Sequence, residues 1–247
     1  MESQVLARLR HGGPHLTVGL ITADLLHLGD ELALLERSGA ELVHIDVMDG
    51  VFCPMTTVGP PFIKAVRSGS LLKDAHLMID EPLGKVESYV QAGADLITFH
   101  LEGASQPHRV LQVLGQAVNA NDPARGIVRG IALNPSTPVA AVEPLLDEVE
   151  HVLILSINPG WGGQAFLSST ARRLDQARRL IEASGRDILL GVDGGVTRDN
   201  IGMVASLGVD LIVSGSAIFD GKDAAGNAAF MLEQVRAARA GQAAVVA

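Results

Sequence analysis

Eight short runs of apolar and β-branched residues recur along this chain, each followed by a stretch compatible with a helix. The runs span residues 17–22, 42–48, 73–79, 95–100, 130–134, 151–157, 187–193 and 209–214, with residues 30–38 and 165–183 among the helical stretches. Strand and helix in alternation force a parallel sheet, because parallel neighbours need a long crossover. Two architectures meet that demand: an open doubly wound sheet and a closed (β/α)8 TIM barrel. The open sheet usually places a glycine fingerprint after its first strand. Here the first run ends in Thr22-Ala23-Asp24, and the glycine clusters follow the sixth, seventh and eighth runs. Barrels commonly hold phosphate in those last loops, so the barrel is the expected fold. A chain of 247 residues, 47% hydrophobic and only 3% aromatic, suits one such domain filled by branched aliphatic side chains. No linker or composition break divides residues 1–247, and residues 1–15 and 238–247 are expected to be peripheral or frayed.

The formal charge of −9 repels polyanions, so nucleic acid is not an expected partner. A small phosphorylated molecule remains open, since backbone amides bind phosphate locally whatever the net charge. Cys53 is the only cysteine and fits a reducing compartment. The first residues lack a continuous apolar stretch of the secretory kind, and no apolar run is long enough for a bilayer. A soluble, cytoplasmic protein with no membrane partner is expected.

The strongest local signal is His44-Ile45-Asp46-Val47-Met48-Asp49-Gly50. Strand alternation sends His44, Asp46 and Met48 to one face and the apolar Ile45 and Val47 to the other. In a barrel the apolar pair faces the helices, which aims an imidazole and a carboxylate into the lumen. Burying an unpaired carboxylate there costs several kcal/mol, so a metal or a charge network is expected, with a hydrogen-bonded structural pair as the plain alternative. The third run adds His76 and Met78 on one face, and the seventh ends in Asp193-Gly194-Gly195. Alone, His76 is more often a satisfied core histidine. Together the residues place two imidazoles and two carboxylates at one barrel mouth, a donor set suited to one divalent Zn, Mn, Fe or Co ion. The glycine clusters are Asn158-Pro159-Gly160-Trp161-Gly162-Gly163-Gln164, Gly194-Gly195 and Ser214-Gly215-Ser216. Each frees peptide N–H groups to approach an anion, and a helix starting just after each would add its positive end. Any one pair is more often a turn; three in successive loops point to phosphate.

These segments, HIDVMDG, VGPPFIKAVR, AHLMI, ITFHLE, IALNPSTP, LSINPGWGGQ, VDGGV and VSGSAIF in that order, resemble the ribulose-phosphate 3-epimerase family over nearly the whole chain. The resemblance implies a divalent metal on His44, Asp46, His76 and Asp193, serving as Lewis acid for a 2,3-enediolate of a ketose phosphate. It makes Asp46 the base and Asp193 the acid in one direction, with roles exchanged in reverse. Met48, Met78 and Leu155 match the apolar cap over the intermediate, although the family has methionine where Leu155 stands. The substrate and its phosphate would lie against His76, Gly160, Trp161, Gly162, Gly163, Asp193, Gly194, Gly195, Gly215 and Ser216. His100 and Glu102 match too and read as supporting residues behind the site. A homo-oligomer is implied as well.

Three positions depart from the family: Gly19 replaces a substrate-contacting serine, the loop 51–58 carries Met55 in place of asparagine, and Leu155 replaces methionine. D-Ribulose 5-phosphate to D-xylulose 5-phosphate is the expected reaction, with another ketose phosphate such as D-allulose 6-phosphate as the alternative. A related barrel decarboxylase of the Asp-x-Lys-x-x-Asp type is excluded, because Met48 stands where its lysine belongs. A non-catalytic phosphate-binding barrel is disfavoured by the presence of all four ligand candidates.

Overall fold

The computed structural model describes residues 3–11, 13–67 and 69–246, with side chains through residue 238. A short helix, α1 (Gln4–Arg10), precedes β1 (His15–Gly19). Helices and strands then follow as α2 (Leu28–Ser38), β2 (Leu42–Met48), α3 (Pro60–Ala65), β3 (Leu72–Met78), α4 (Val86–Gln91), β4 (Leu96–His100), α5 (Pro107–Gln116) and β5 (Val128–Leu133). The last third holds β6 (His151–Leu155), α6 (Thr170–Ser184), β7 (Leu189–Asp193), α7 (Ile201–Ala205), β8 (Leu211–Ser214) and α8 (Ala224–Val246). Between β5 and β6 the crossover is a 3-10 helix, Val139–Leu145, with Pro144 inside it removing one backbone donor. All eight strands pair in parallel and close into one ring from β1 back to β8, the (β/α)8 barrel expected from the alternation.

Period-two alternation sorts the strand residues between two cores. Ile45, Val47, Ala75, Leu77, Ile97 and Phe99 face outward and pack beneath the helices. Inside the barrel, Leu42, Leu72, Leu96, Val128, Leu189 and Leu211 form an apolar layer at the amino-terminal ends of the strands. Helix α1 closes that end with Val5, Leu6 and Leu9, each burial contributing about 1.5–3 kcal/mol. Ser3 caps it, accepting from the Leu6 amide at 3.2 Å and donating to the Arg125 carbonyl at 2.7 Å.

Residues 4–10 are therefore a plug and not a periphery, which corrects the expectation for residues 1–15; Met1, Glu2 and Gly12 lie outside the described residues. At the other terminus α8 remains helical to Val246, so the backbone of 238–246 is ordered as helix, while side chains from 239 on and Ala247 lie outside the described residues. The first strand also shifts: it occupies His15–Gly19, and Leu20–Thr22 turns into a 3-10 helix at the barrel mouth. No helix among the described residues is long and apolar enough to cross a membrane.

Candidate active site

Three successive cross-strand pairs between β2 and β3 build the site: His44 with Asp74, Asp46 with His76, and Met48 with Met78. Paired residues in parallel strands point to the same side, so all six side chains face the lumen, stepping from the apolar layer to the mouth. Across the barrel, β7 ends in Asp193, which pairs in register with Leu155 of β6. One donor atom from each of His44, Asp46, His76 and Asp193 lies within 4.8 Å of every other. His44 Nε2 stands 3.2 Å from Asp46 Oδ1, 3.3 Å from His76 Nδ1 and 3.8 Å from Asp193 Oδ2. His76 Nδ1 stands 3.2 Å from Asp46 Oδ1 and 3.3 Å from Asp193 Oδ2.

These separations test whether the residues fit a cation. Nitrogen and oxygen ligands held about 2.0–2.2 Å from a four-coordinate metal stand about 3.4 Å from one another. The five histidine-centred separations, 3.2–3.8 Å, bracket that edge length. Two imidazole nitrogens at 3.3 Å also share no proton comfortably, since both converge on the same carboxylate oxygen, whereas lone pairs converging on one ion are compatible.

The residues behind the cluster fix which nitrogen presents its lone pair. Asp74 Oδ2 accepts from His44 Nδ1 at 2.7 Å, which leaves His44 Nε2 as the free acceptor nitrogen. On the other side Glu102 Oε2 sits 3.3 Å from His100 Nδ1, and His100 Nε2 sits 2.9 Å from His76 Nε2. With Glu102 accepting from His100, His100 accepts from His76, and the lone pair of His76 is left at Nδ1, inside the cluster. Glu102 is itself held by the Asn134 amide at 2.7 Å and by the Thr137 hydroxyl.

Burial and charge act against each other here. Burial alone would push the His44 imidazole down, but Asp74 and Asp46 outweigh it and hold it well above the ordinary histidine value. For His76 burial is likewise overcome, by Asp193 and Asp46, and its value is raised. Burial disfavours the Asp46 carboxylate, yet His44 and His76 hold it below the usual carboxylate range. The site thus demands positive charge, which protons or a divalent cation satisfy. His100 differs: burial, aided by His76, outweighs Glu102 and pushes it down to about 4, so it stays neutral as the relay requires.

A cavity of about 250 Å3 opens beside the cluster, lined by Asp46 and Asp193 and by the glycine loops, with Gly162, Gly163, Gly194, Gly195, Gly215 and Ser216 on its wall. Gly195 has φ +65°, and a Cβ there would stand 2.6 Å from the Phe166 amide nitrogen, so glycine is required. Ser156 ties the loop down by donating from its hydroxyl to the Asp193 carbonyl at 2.7 Å and to the Gly194 carbonyl.

Two expected phosphate residues stand apart from this wall. Gly160 does not line the cavity; its glycine answers to packing, because a Cβ would meet Cys53 Cβ and Pro54 Cδ at 2.9 Å. Trp161 is half exposed and also lies off the wall. The helix ends expected just after each glycine cluster are absent as well. Helices α6, α7 and α8 start at Thr170, Ile201 and Ala224, and after Gly215 there is only a turn in which its carbonyl accepts from Ile218 and Phe219. Any anion here meets peptide N–H groups without long helix dipoles behind them.

Asp74, which holds His44 from behind, is a candidate that the sequence motifs do not single out. It lies two positions before His76, and the period-two rule that selected His44 and Asp46 places it in the lumen as well. Arg173 was equally silent in sequence: buried on α6, it donates to the carbonyls of Leu155, Asn134 and Thr137 at 3.0, 2.7 and 3.1 Å and braces the loops after β5 and β6.

A family model described as the ribulose-phosphate 3-epimerase family matches residues 15–219. The chain is 37% identical to the ribulose-phosphate 3-epimerase of Bacillus subtilis, over 83% of this chain and 91% of that protein. It is 39% identical to the Escherichia coli K12 protein of the same name, over 83% of this chain and 88% of that one. Among solved structures, KGPDC from Streptococcus mutans superposes with a TM-score of 0.68 at 17% identity, covering 91% of this chain and 98% of the other, which speaks to the barrel alone. With this donor cluster at the mouth of this barrel, the chain belongs to the ribulose-phosphate 3-epimerase family of carbohydrate isomerases.

Proposed function

We propose that the protein inverts C3 of a ketose phosphate, interconverting D-ribulose 5-phosphate and D-xylulose 5-phosphate by two-aspartate proton transfer. The observation that carries this reading is the convergence of Asp46 and Asp193, from β2 and β7, on one pair of imidazoles beside one glycine-walled cavity. A cation held by His44, Asp46, His76 and Asp193 would supply Lewis acidity for the charge developing on the substrate's oxygens. The histidine contacts use Oδ1 of Asp46 and Oδ2 of Asp193, so each carboxylate keeps a second oxygen for a proton. Asp46 takes the C3 proton from one face, a planar 2,3-enediolate forms, and Asp193 delivers a proton to the opposite face; the reverse reaction exchanges the roles. Met48, Met78 and Leu155 lie on the same inner face and keep water from the flat intermediate. The amides of Gly162, Gly163, Gly194, Gly195, Gly215 and Ser216 receive the phosphate.

A second reading, the same inversion on a different ketose phosphate such as D-allulose 6-phosphate, draws on Gly19. Gly19 lines the cavity, at the position where the family resemblance implies a substrate-contacting serine. Gly215 closes in on it, with its Cα 3.3 Å from where a Cβ would stand. Loss of one buried hydrogen bond changes discrimination between sugars by a large factor. Turnover on a panel of pentulose and hexulose phosphates decides: a highest kcat/KM for D-ribulose 5-phosphate supports the first reading, and a highest value for a hexulose phosphate replaces it with the second. Turnover on none, with metal bound, removes both.

A further inference from the structure

A larger cavity, about 400 Å3, lies at the opposite end of the barrel, at the amino-terminal ends of β3 and β4. Its wall carries four cationic side chains, Lys64, Arg67, Lys73 and Arg125, against one carboxylate, Asp95. That concentration of positive charge stands out on a chain whose formal charge is −9. Asp95 is already committed: it accepts from the Lys73 amide at 2.9 Å and from Asn119 Nδ2 at 3.0 Å, and it pairs with Arg125 at 3.4 Å. Glu36 reaches the edge, where it accepts from the Ser70 amide at 2.9 Å.

Lys73 is buried, and its ammonium donates to the Ile63 and Ala92 carbonyls at 3.2 and 3.3 Å, which answers the carbonyls that α3 and α4 turn toward this end. An ammonium has three donors, so one remains. Burial pushes this group below its ordinary value, with Asp95 opposing and Arg125 adding to the shift, and a nearby anion would relieve that cost. Lys64 and Arg67 are exposed and have no ion-pair or hydrogen-bond partner among the described residues. Arg129, at the neighbouring strand, is by contrast fully engaged, with Glu148 and Glu150 each at 3.1 Å. Lys64 and Arg67 are set apart by position: both border one cavity of ligand size with their head groups unengaged.

We propose that this cavity is a second anion site, which binds a phosphate dianion, free or as the ester of a small metabolite, at the end of the barrel remote from the chemistry. Arg67 would supply a planar fork for two phosphate oxygens, with Lys64 and Lys73 as point charges beside it. The proposal does not depend on which sugar the mouth accepts.

Amide spectra of the full chain, titrated with inorganic phosphate and separately with glycerol 3-phosphate, test it. Saturable shifts of Arg67, Gly69, Gly93 and Asn121 are expected, and the tighter of the two ligands identifies free phosphate or ester as the source. In a Lys64→Ala/Arg67→Ala variant the same shifts should require at least about tenfold more ligand, as removal of charge-assisted hydrogen bonds implies, while turnover and melting temperature stay at the parent values. Shifts that fail to saturate, that potassium chloride reproduces at equal ionic strength, or that the double variant leaves unchanged would overturn the site.

Discussion

The two ends of the barrel lumen are made by the same strands and do opposite things. On β2 the inner face reads Leu42, His44, Asp46, Met48 from one end to the other, and on β3 it reads Leu72, Asp74, His76, Met78. The leucines join the apolar layer that α1 seals, and the polar residues two to four positions later form the donor cluster. One step of the β period therefore separates side chains that hold the fold from side chains that bind charge. The sealed end of the lumen can be apolar because no ligand passes α1 into the barrel interior; the mouth must tolerate buried charge because its chemistry needs it.

That contrast predicts a division of effects. Replacing Asp193 with Asn keeps the side chain's shape but removes a proton carrier and a ligand, so turnover should fall by at least about 10²–10⁴-fold while the melting temperature changes little. An Asp193→Asn variant with parental turnover would break the comparison at the mouth. At the sealed end, Leu9→Ala empties a fully buried position in α1, and denaturant titration should show a loss of about 2–5 kcal/mol with turnover per folded molecule preserved. A loss of activity without a loss of stability would mean that the plug reaches the site.

Between the two ends lies the supporting layer. Asp74→Asn can still accept from His44 but no longer carries charge, and metal affinity measured by chelator competition should drop by about 10–100-fold. Affinity should also rise with pH, because His44 and His76 hold protons above the ordinary histidine value and the ion must displace them.

A smaller effect belongs to His151 of β6. Burial, only partly opposed by Asp74, pushes it down to about 4 from 6.5, and its Nε2 is buried with no hydrogen-bond partner among the described residues. The unfolded chain binds a proton there below about 6.5 and the folded chain does not until about 4, so stability is full above that window and declines as pH falls through it. At the acid end the loss of stability approaches about 3 kcal/mol. His151→Leu should therefore flatten the acid limb of the stability curve; an unchanged limb would show that His151 takes up its proton in the folded state.

The sequence made the barrel legible because eight apolar runs keep strand length and spacing, and it made the four donors legible because alternation fixes a face. It misled where a pattern is shared by two structures. Leu20-Ile21-Thr22 is β-branched and apolar like a strand, yet it turns at the mouth, which moved β1 to His15–Gly19. Helix α1 has only seven residues, too few for a clear helical period, and its reason for existing is the apolar layer it covers. Gly160 belonged to the phosphate motif by neighbourhood but is glycine because of Cys53 and Pro54, contacts that come from a different loop. Asp74 obeyed the rule already in use. The His100–Glu102 relay could be matched as a pair, but its direction, which sets the His76 tautomer, depends on distances across strands.

Turnover of the preferred ketose phosphate in deuterium oxide, followed by proton NMR at C3, tests the two-aspartate account most directly. Each inverted product molecule should carry one solvent-derived deuterium at C3, because the acid that delivers it is not the base that took the proton. Product that keeps its original C3 hydrogen would contradict the transfer between Asp46 and Asp193.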